Sequence, residues 1–285
     1  MIKVVLFVSV FVLFENICQS SQSAEIDIVQ QIKNEVKKEY KADDADETIN
    51  EIVQIALKKC GVNRSIIVLQ TNYSSNSYTY ACPNKHSQEF MIIGTRGKDL
   101  DQIIATVYHE LGHVFHGDML RKIKYQDAMF VYGAGALSLM VGFSSMLVFR
   151  KYVYKSKLTS VLIGGVSTLT TLSLEFILNR YYNSLQECRA DAFAYEHLVK
   201  HNKLATAVGQ ISDYLARHEH SKKQQLSLFV TGYPTDLQRA KIGLDVLQQQ
   251  GINILDLIEK LPEDLDAGIK QNFPNQIKKF FPDMI

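Results

Sequence analysis

The chain has 285 residues, 31 Lys+Arg against 30 Asp+Glu, a formal net charge of +1 and 46% hydrophobic residues. This excludes a disordered tail, which could not bury enough apolar surface, and a nucleic-acid binder held by phosphate contacts, which needs a basic excess. Four cysteines are too few for a disulfide scaffold.

The first apolar block is at the start. Lys3 precedes an apolar run over residues 4–14, and a polar, small-residue stretch follows over 15–24. That order is the pattern of a secretory signal, with cleavage expected near Ala24. As a helix the run reaches only about 16 Å, roughly half the hydrocarbon thickness, which favours a cleaved signal over a spanning anchor. Glu15 and Ile17 sit where a lipoprotein signal around Cys18 would want apolar and small residues. Residues 26–57 are charged and helix-periodic, with Ile28, Ile32, Val36 and then Ile49, Ile52, Ile55 on one spacing. Strands are predicted over 65–70 and 89–95, bounded by Asn63, Asn84 and Gly97. Residues 100–115 read as a helix.

Residues 128–149 carry no charge, enough for about 33 Å of helix and one bilayer crossing. A second run follows over 158–178, richer in Ser and Thr, with Glu175 near its far end. The loop between them holds Arg150, Lys151, Lys155 and Lys157, as expected for a hairpin whose tip faces the cytoplasm. With an export signal ahead of it, the polar bulk is expected on the non-cytoplasmic side. A buried hairpin in a soluble protein is the alternative. Helices are predicted again over 185–199 and 235–249, the latter opened by Pro234 and ended by Gly251. The reading is one mostly helical α+β domain over 25–285, with a small mixed sheet and an inserted transmembrane hairpin over 128–178.

The chemistry is in His109-Glu110-Leu111-Gly112-His113. Residues four apart lie about 40° apart around a helix, so both imidazoles can reach one ion. Glu110 falls beside that face, where its carboxylate can reach a metal-bound water. Chance rarely produces this pattern, and the apolar residues Ile103, Ile104, Val107, Val114 and Phe115 place it on a packed helix rather than a solvated one. A catalytic Zn2+ needs a third protein ligand. Met119 stands where a metzincin would have its third His, so a gluzincin solution with a later Glu is expected. Glu187 is that candidate, and Asp191, one turn on, is placed to hydrogen-bond the outer nitrogen of a ligand His.

These motifs, with Pro234 and Arg239, resemble peptidase family M48, which includes HtpX-type membrane proteases and CAAX prenyl proteases. Residues 76–81 resemble its strand upstream of the zinc helix, and HtpX-type members also place a membrane hairpin between the zinc helix and the Glu ligand. The resemblance implies a zinc metalloendopeptidase with one Zn2+ on His109, His113 and Glu187 and with Glu110 as base. It implies protein or peptide substrates, misfolded or membrane-associated. It also implies an edge strand for an extended substrate, for which residues 90–95 are a candidate, although their own composition reads as a core strand. Family members usually have His where this chain has Tyr233. A neutral Tyr hydroxyl can donate to an oxyanion as that His would. Arg239 matches the family Arg and is expected to pair with a carboxylate near the site. The departure at Tyr233 is the one support for a rival reading, an inactive zinc-binding membrane scaffold or chaperone.

Other candidates have plainer readings. His116 is expected beside the site or on the surface, His197 and His201 on a solvated helix face, and residues 218–220 in a polar loop. Cys60 and Cys82 are able to bridge outside the cytosol, and Cys188 reads as an inert thiol. Asn63 and Asn72 open glycosylation acceptor triplets if the host is eukaryotic.

Overall fold

The computed structural model describes residues 22–81, 89–118, 135–152, 157–220 and 233–284. The expected signal run, Cys82 and residues 128–134 of the expected hairpin lie outside the described residues, as does Lys155 of its loop. Ala24 falls in the first turn of α1 (Gln22–Tyr40).

Two helices, α1 and α2 (Glu47–Lys59), stand where one periodic stretch is expected. Between them Asp43 and Asp44 pair with Gln70 and Leu69 as a short strand, β1 (Asp43–Asp44). Asp46 then caps α2 by accepting from the Ile49 amide at 2.9 Å. Apolar spacing is helical on both sides of this break, so periodicity does not register it.

The sheet has the order β1-β2-β4-β3, built from β2 (Ile66–Thr71), β3 (Tyr78–Ala81) and β4 (Glu89–Gly94). β2 and β4 run parallel, and the two outer pairings are antiparallel. Every residue of β4 is buried. Phe90 and Ile92 pack with Leu69 under Ile32 and Val36 of α1. Met91 and Ile93 face the larger core with Val107 and Leu111 of α3 (Leu100–His116). Burial on both faces explains the unbroken apolar run of β4. It also makes residues 90–94 interior, contrary to the edge implied by the resemblance: the edge strands among the described residues are β1 and β3.

α3 begins at a capping box in which Asp99 and Gln102 satisfy each other's backbone, and ends at Gly117, whose φ of 65° suits glycine. The C-terminal part of α5 (Lys157–Lys200), α6 (Leu204–His220) and α7 (Asp236–Gln249) enclose it. Val114, Ala194, Leu198, Ile211, Leu215 and Leu244 supply that core. Residues 218–220, expected as a loop, are the last turn of α6, and Thr235 with Gln238 forms the capping box of α7. Past α8 (Ile254–Glu259), α9 (Ala267–Phe280) inserts Phe273 and Ile277 into the same core.

The apolar middle of the chain forms α4 (Gly135–Tyr152) and the first half of α5. The two helices touch at glycine: a Cβ at Gly142 would meet the Thr168 hydroxyl and lie 2.8 Å from the Gly164 carbonyl. α5 is one unbroken helix of 44 residues, about 66 Å. Its portion Leu162–Lys200 is long and apolar enough to cross a membrane, and only 6% of its most apolar window is buried. In α4 the apolar segment is the shorter Ser138–Val148. The helix expected over 185–199 is therefore the far end of the second apolar helix, so one rod joins that segment to the core.

Candidate metal centre

Two helices make the site, and a missing side chain lets them approach. A Cβ on Gly112 would lie 2.8 Å from Ala190 Cα and 3.0 Å from its carbonyl oxygen, so α3 and α5 cross backbone to backbone there. His109 and His113 flank Gly112 on α3, and Glu187 lies one turn before Ala190 on α5. The crossing brings them together. His109 Nε2 is 3.3 Å from Glu187 Oε2, and His113 Nε2 is 3.6 Å from Glu187 Oε1. One donor atom from each of His109, His113 and Glu187 lies within 4.8 Å of the others, close enough to share a metal ion.

The outer nitrogens are also held. His109 Nδ1 meets Asp191 Oδ1 at 2.8 Å, and His113 Nδ1 meets Asp118 Oδ2 at 3.1 Å. A carboxylate on Nδ1 places a proton there and leaves the Nε2 lone pair for a ligand, which is the orientation a metal requires. Each carboxylate has its own cation. Arg239 donates to Asp191 through Nε at 2.6 Å and Nη2 at 2.5 Å, and Arg189 lies 3.2 Å from Asp118. Arg239 in turn stacks on the Tyr214 ring, with Arg217 also over that ring, at 4.7 and 4.6 Å. Arg239 thus finds its carboxylate, Asp191. Asp118 and Arg189 are not predicted from sequence. The available signal is the short step from His113 across the Gly117 cap, which turns Asp118 back beneath the ring.

Electrostatics favour a cation at this point. Burial alone would lower the pKa of His109, but the Asp191 carboxylate and then the bond to Glu187 overcome it and raise the pKa to about 10. Burial would raise Asp191, and Arg239 and His109 instead hold it at about 2. Burial likewise opposes ionisation of Glu187, yet His109, His113 and Arg239 hold it below the usual range. Positive charge between the imidazoles and Glu187 is therefore stabilised, and a metal bound there would take the place of a proton. The donor set fits zinc: two nitrogens and one oxygen leave a fourth position open.

Glu110 is buried on the same turn, and the Thr79 hydroxyl donates to its Oε2 at 2.5 Å. Tyr233 is 56% exposed, and its pKa is raised by partial burial and then by interaction with Glu187, the Tyr78 phenol and Glu110. Its hydroxyl is neutral at pH 7 and lies within electrostatic reach of both glutamates. His197 and His201 stand apart from this group, in an aromatic row in which His197 lies 4.2 Å from Phe193 and His201 Nδ1 is 3.0 Å from the Tyr108 hydroxyl. Cys60 is a free buried thiol whose pKa burial raises to about 11, and burial also raises Cys188 beside the site.

Residues 44–243 match the model of peptidase family M48. Comparison with curated proteins and with solved structures finds no match.

Proposed function

The chain belongs to peptidase family M48, and from that membership and the His109–His113–Glu187 group we propose a membrane-anchored zinc endopeptidase of the gluzincin type. A zinc ion on these three residues would acidify a water and polarise the scissile carbonyl. Glu110 takes the proton of the attacking water and returns it to the leaving amine. Asp191 and Asp118 hold the imidazoles through Nδ1, and Arg239 keeps Asp191 ionised. The Tyr233 hydroxyl donates to the oxygen that gains charge as the carbonyl is attacked. The charge of Glu187 and Glu110, which its hydroxyl feels, supports this role over the inactive scaffold. An extended peptide adds to the outer side of β3, which runs alongside α3.

The anchor is the hairpin of α4 and the first half of α5, with the catalytic domain on the non-cytoplasmic side. The surface of these helices supports the anchor: Leu139, Phe143, Val166, Leu169 and Phe176 are all more than half exposed. The hydroxyls of Thr168, Thr170, Thr171 and Ser173 each donate to the carbonyl four residues earlier, at 2.8–3.0 Å. Such back-bonding satisfies groups that would otherwise be orphaned in hydrocarbon. Glu187 follows Leu178 by about 13 Å along the helix, which holds the site near the membrane surface and favours membrane-associated polypeptides as substrates.

The observation that carries this reading is the convergence of three ligand atoms beside a buried Glu110. The test compares zinc content and cleavage of unfolded casein by wild type and Glu110→Gln in detergent. The variant should keep its zinc and lose about 10²–10⁴-fold in rate. Equal turnover would refute the assignment of the base.

A further inference from the structure

The shortest hydrogen bond to Glu110 comes not from its own helix but from Thr79 of the sheet. Thr79 is the inward residue of β3: alternation turns Tyr78 and Tyr80 to the other face, where they contact Tyr40 and Phe90. Thr79 is 5% exposed, and its Oγ1 lies 2.5 Å from Glu110 Oε2 and 3.4 Å from the Glu110 carbonyl oxygen. A hydroxyl has one proton to give, and the shorter contact takes it. The strand that carries Thr79 is itself clamped. The Gly94 amide of β4 donates to Ser77 Oγ at 2.9 Å, and a Cβ on Gly94 would strike the Asn76 backbone. Thr79 pairs with Met91, which is fully buried. The hydroxyl is therefore fixed by the sheet, not by the helix whose carboxylate it meets.

We propose that Thr79 is the positioning residue of the base: its hydroxyl occupies Oε2 of Glu110 and reserves Oε1 as the atom that takes and returns the proton. The inference rests on the reading of Glu110 as base. The bond survives both halves of the reaction. While Glu110 is ionised, Oε2 accepts from Thr79 and Oε1 is the open acceptor. When the proton of the attacking water is on Oε1, Oε2 is the carbonyl oxygen of the acid and still accepts from Thr79. Nothing must rotate between gaining the proton and giving it to the amine. Because Thr79 lies on the strand proposed to receive the peptide, the same residue sets the base in register with the bound backbone. The consequence is a split between kinetic constants. Removing the hydroxyl frees the carboxylate without removing any backbone contact to the substrate, so kcat should fall and KM should not.

The test uses the zinc-loaded full chain with a fluorogenic peptide, comparing Thr79→Val, Thr79→Ala and Thr79→Ser. Val and Ala should lower kcat about 10–100-fold with KM within about 2-fold, the scale of a misplaced reacting group, and Ser should restore most of it. In the Glu110→Gln background, Thr79→Val should slow the residual rate no further, and peptide affinity measured by fluorescence anisotropy should stay within about 2-fold. If Val does not fold, the comparison of Ala with Ser carries the test. Unchanged kcat with a lowered melting temperature would make Thr79 a structural clamp and overturn the proposal, as would a 10-fold loss of peptide affinity. Normal turnover by Glu110→Gln alone would instead sink the underlying assignment of the base.

Discussion

Gly112→Ala tests whether the helix crossing sets the metal geometry. The added Cβ would lie 2.8 Å from Ala190 Cα, 3.0 Å from its oxygen and 3.2 Å from its Cβ. The two nearest atoms belong to the α5 backbone, so no side-chain rotation relieves them. Ordinary contact begins near 3.4 Å, so the helices must part by at least about 0.6 Å. Glu187 lies one turn from Ala190 and moves with it, whereas metal–ligand distances tolerate about 0.2 Å. Overpacking of this kind costs about 1–3 kcal/mol of stability. We expect a metal-free variant that melts several degrees lower and binds zinc about 10–100-fold more weakly, the scale seen when the support of a ligand is disturbed. The assay is competition with a chromophoric chelator, read beside thermal unfolding of the chelated protein. Wild-type zinc affinity in a variant that is destabilised would refute the argument, because the crossing could then relax without moving Glu187.

Two further outcomes follow. Lys98 donates to Thr106 at 2.9 Å, and burial, helped by Arg217 and opposed by Glu110, lowers its pKa from 10.5 to about 8. The folded state then binds fewer protons than the unfolded state between pH 8 and 10.5, so stability should rise with pH across that window, by at most about 3 kcal/mol and less once solvent screening of this partly exposed group is counted. Lys98→Met should be more stable than wild type at pH 7 and lack the rise, as read from unfolding midpoints in chelator; parallel curves would disprove it. Separately, membranes carrying the full chain should retain it through alkaline carbonate washing and release it in detergent. Release by carbonate alone would rule out an embedded hairpin.

The features legible in advance are those that depend on residues near one another in the chain. Four-residue spacing on a helix places His109 and His113 together whatever packs around them, and an uncharged run announces an exposed apolar helix. β4 reads as a core strand because burial on both faces favours an unbroken apolar run, here Phe90 to Ile93. The pairing of Glu187 and Asp191 is also local, one helical turn, and needs only a partner helix to become meaningful. By contrast, the break between α1 and α2 depends on Asp43 and Asp44 finding Gln70 and Leu69 across the sheet, which leaves no periodic trace.

The sequence by itself determined which side chains stand as candidate ligands and candidate base, the helical frame and the apolar middle of the chain, because each is a property of spacing along one element. Only the tertiary structure decided that β4 is interior and β3 an edge strand, that Thr79 meets Glu110 and that Asp118 supports His113. Those contacts are set by strand order, by the left-handed turn at Gly117 and by a crossing of α3 and α5 close enough to exclude a methyl group. Relations between distant segments are fixed by how surfaces fit, and no single segment records the shape of its partner.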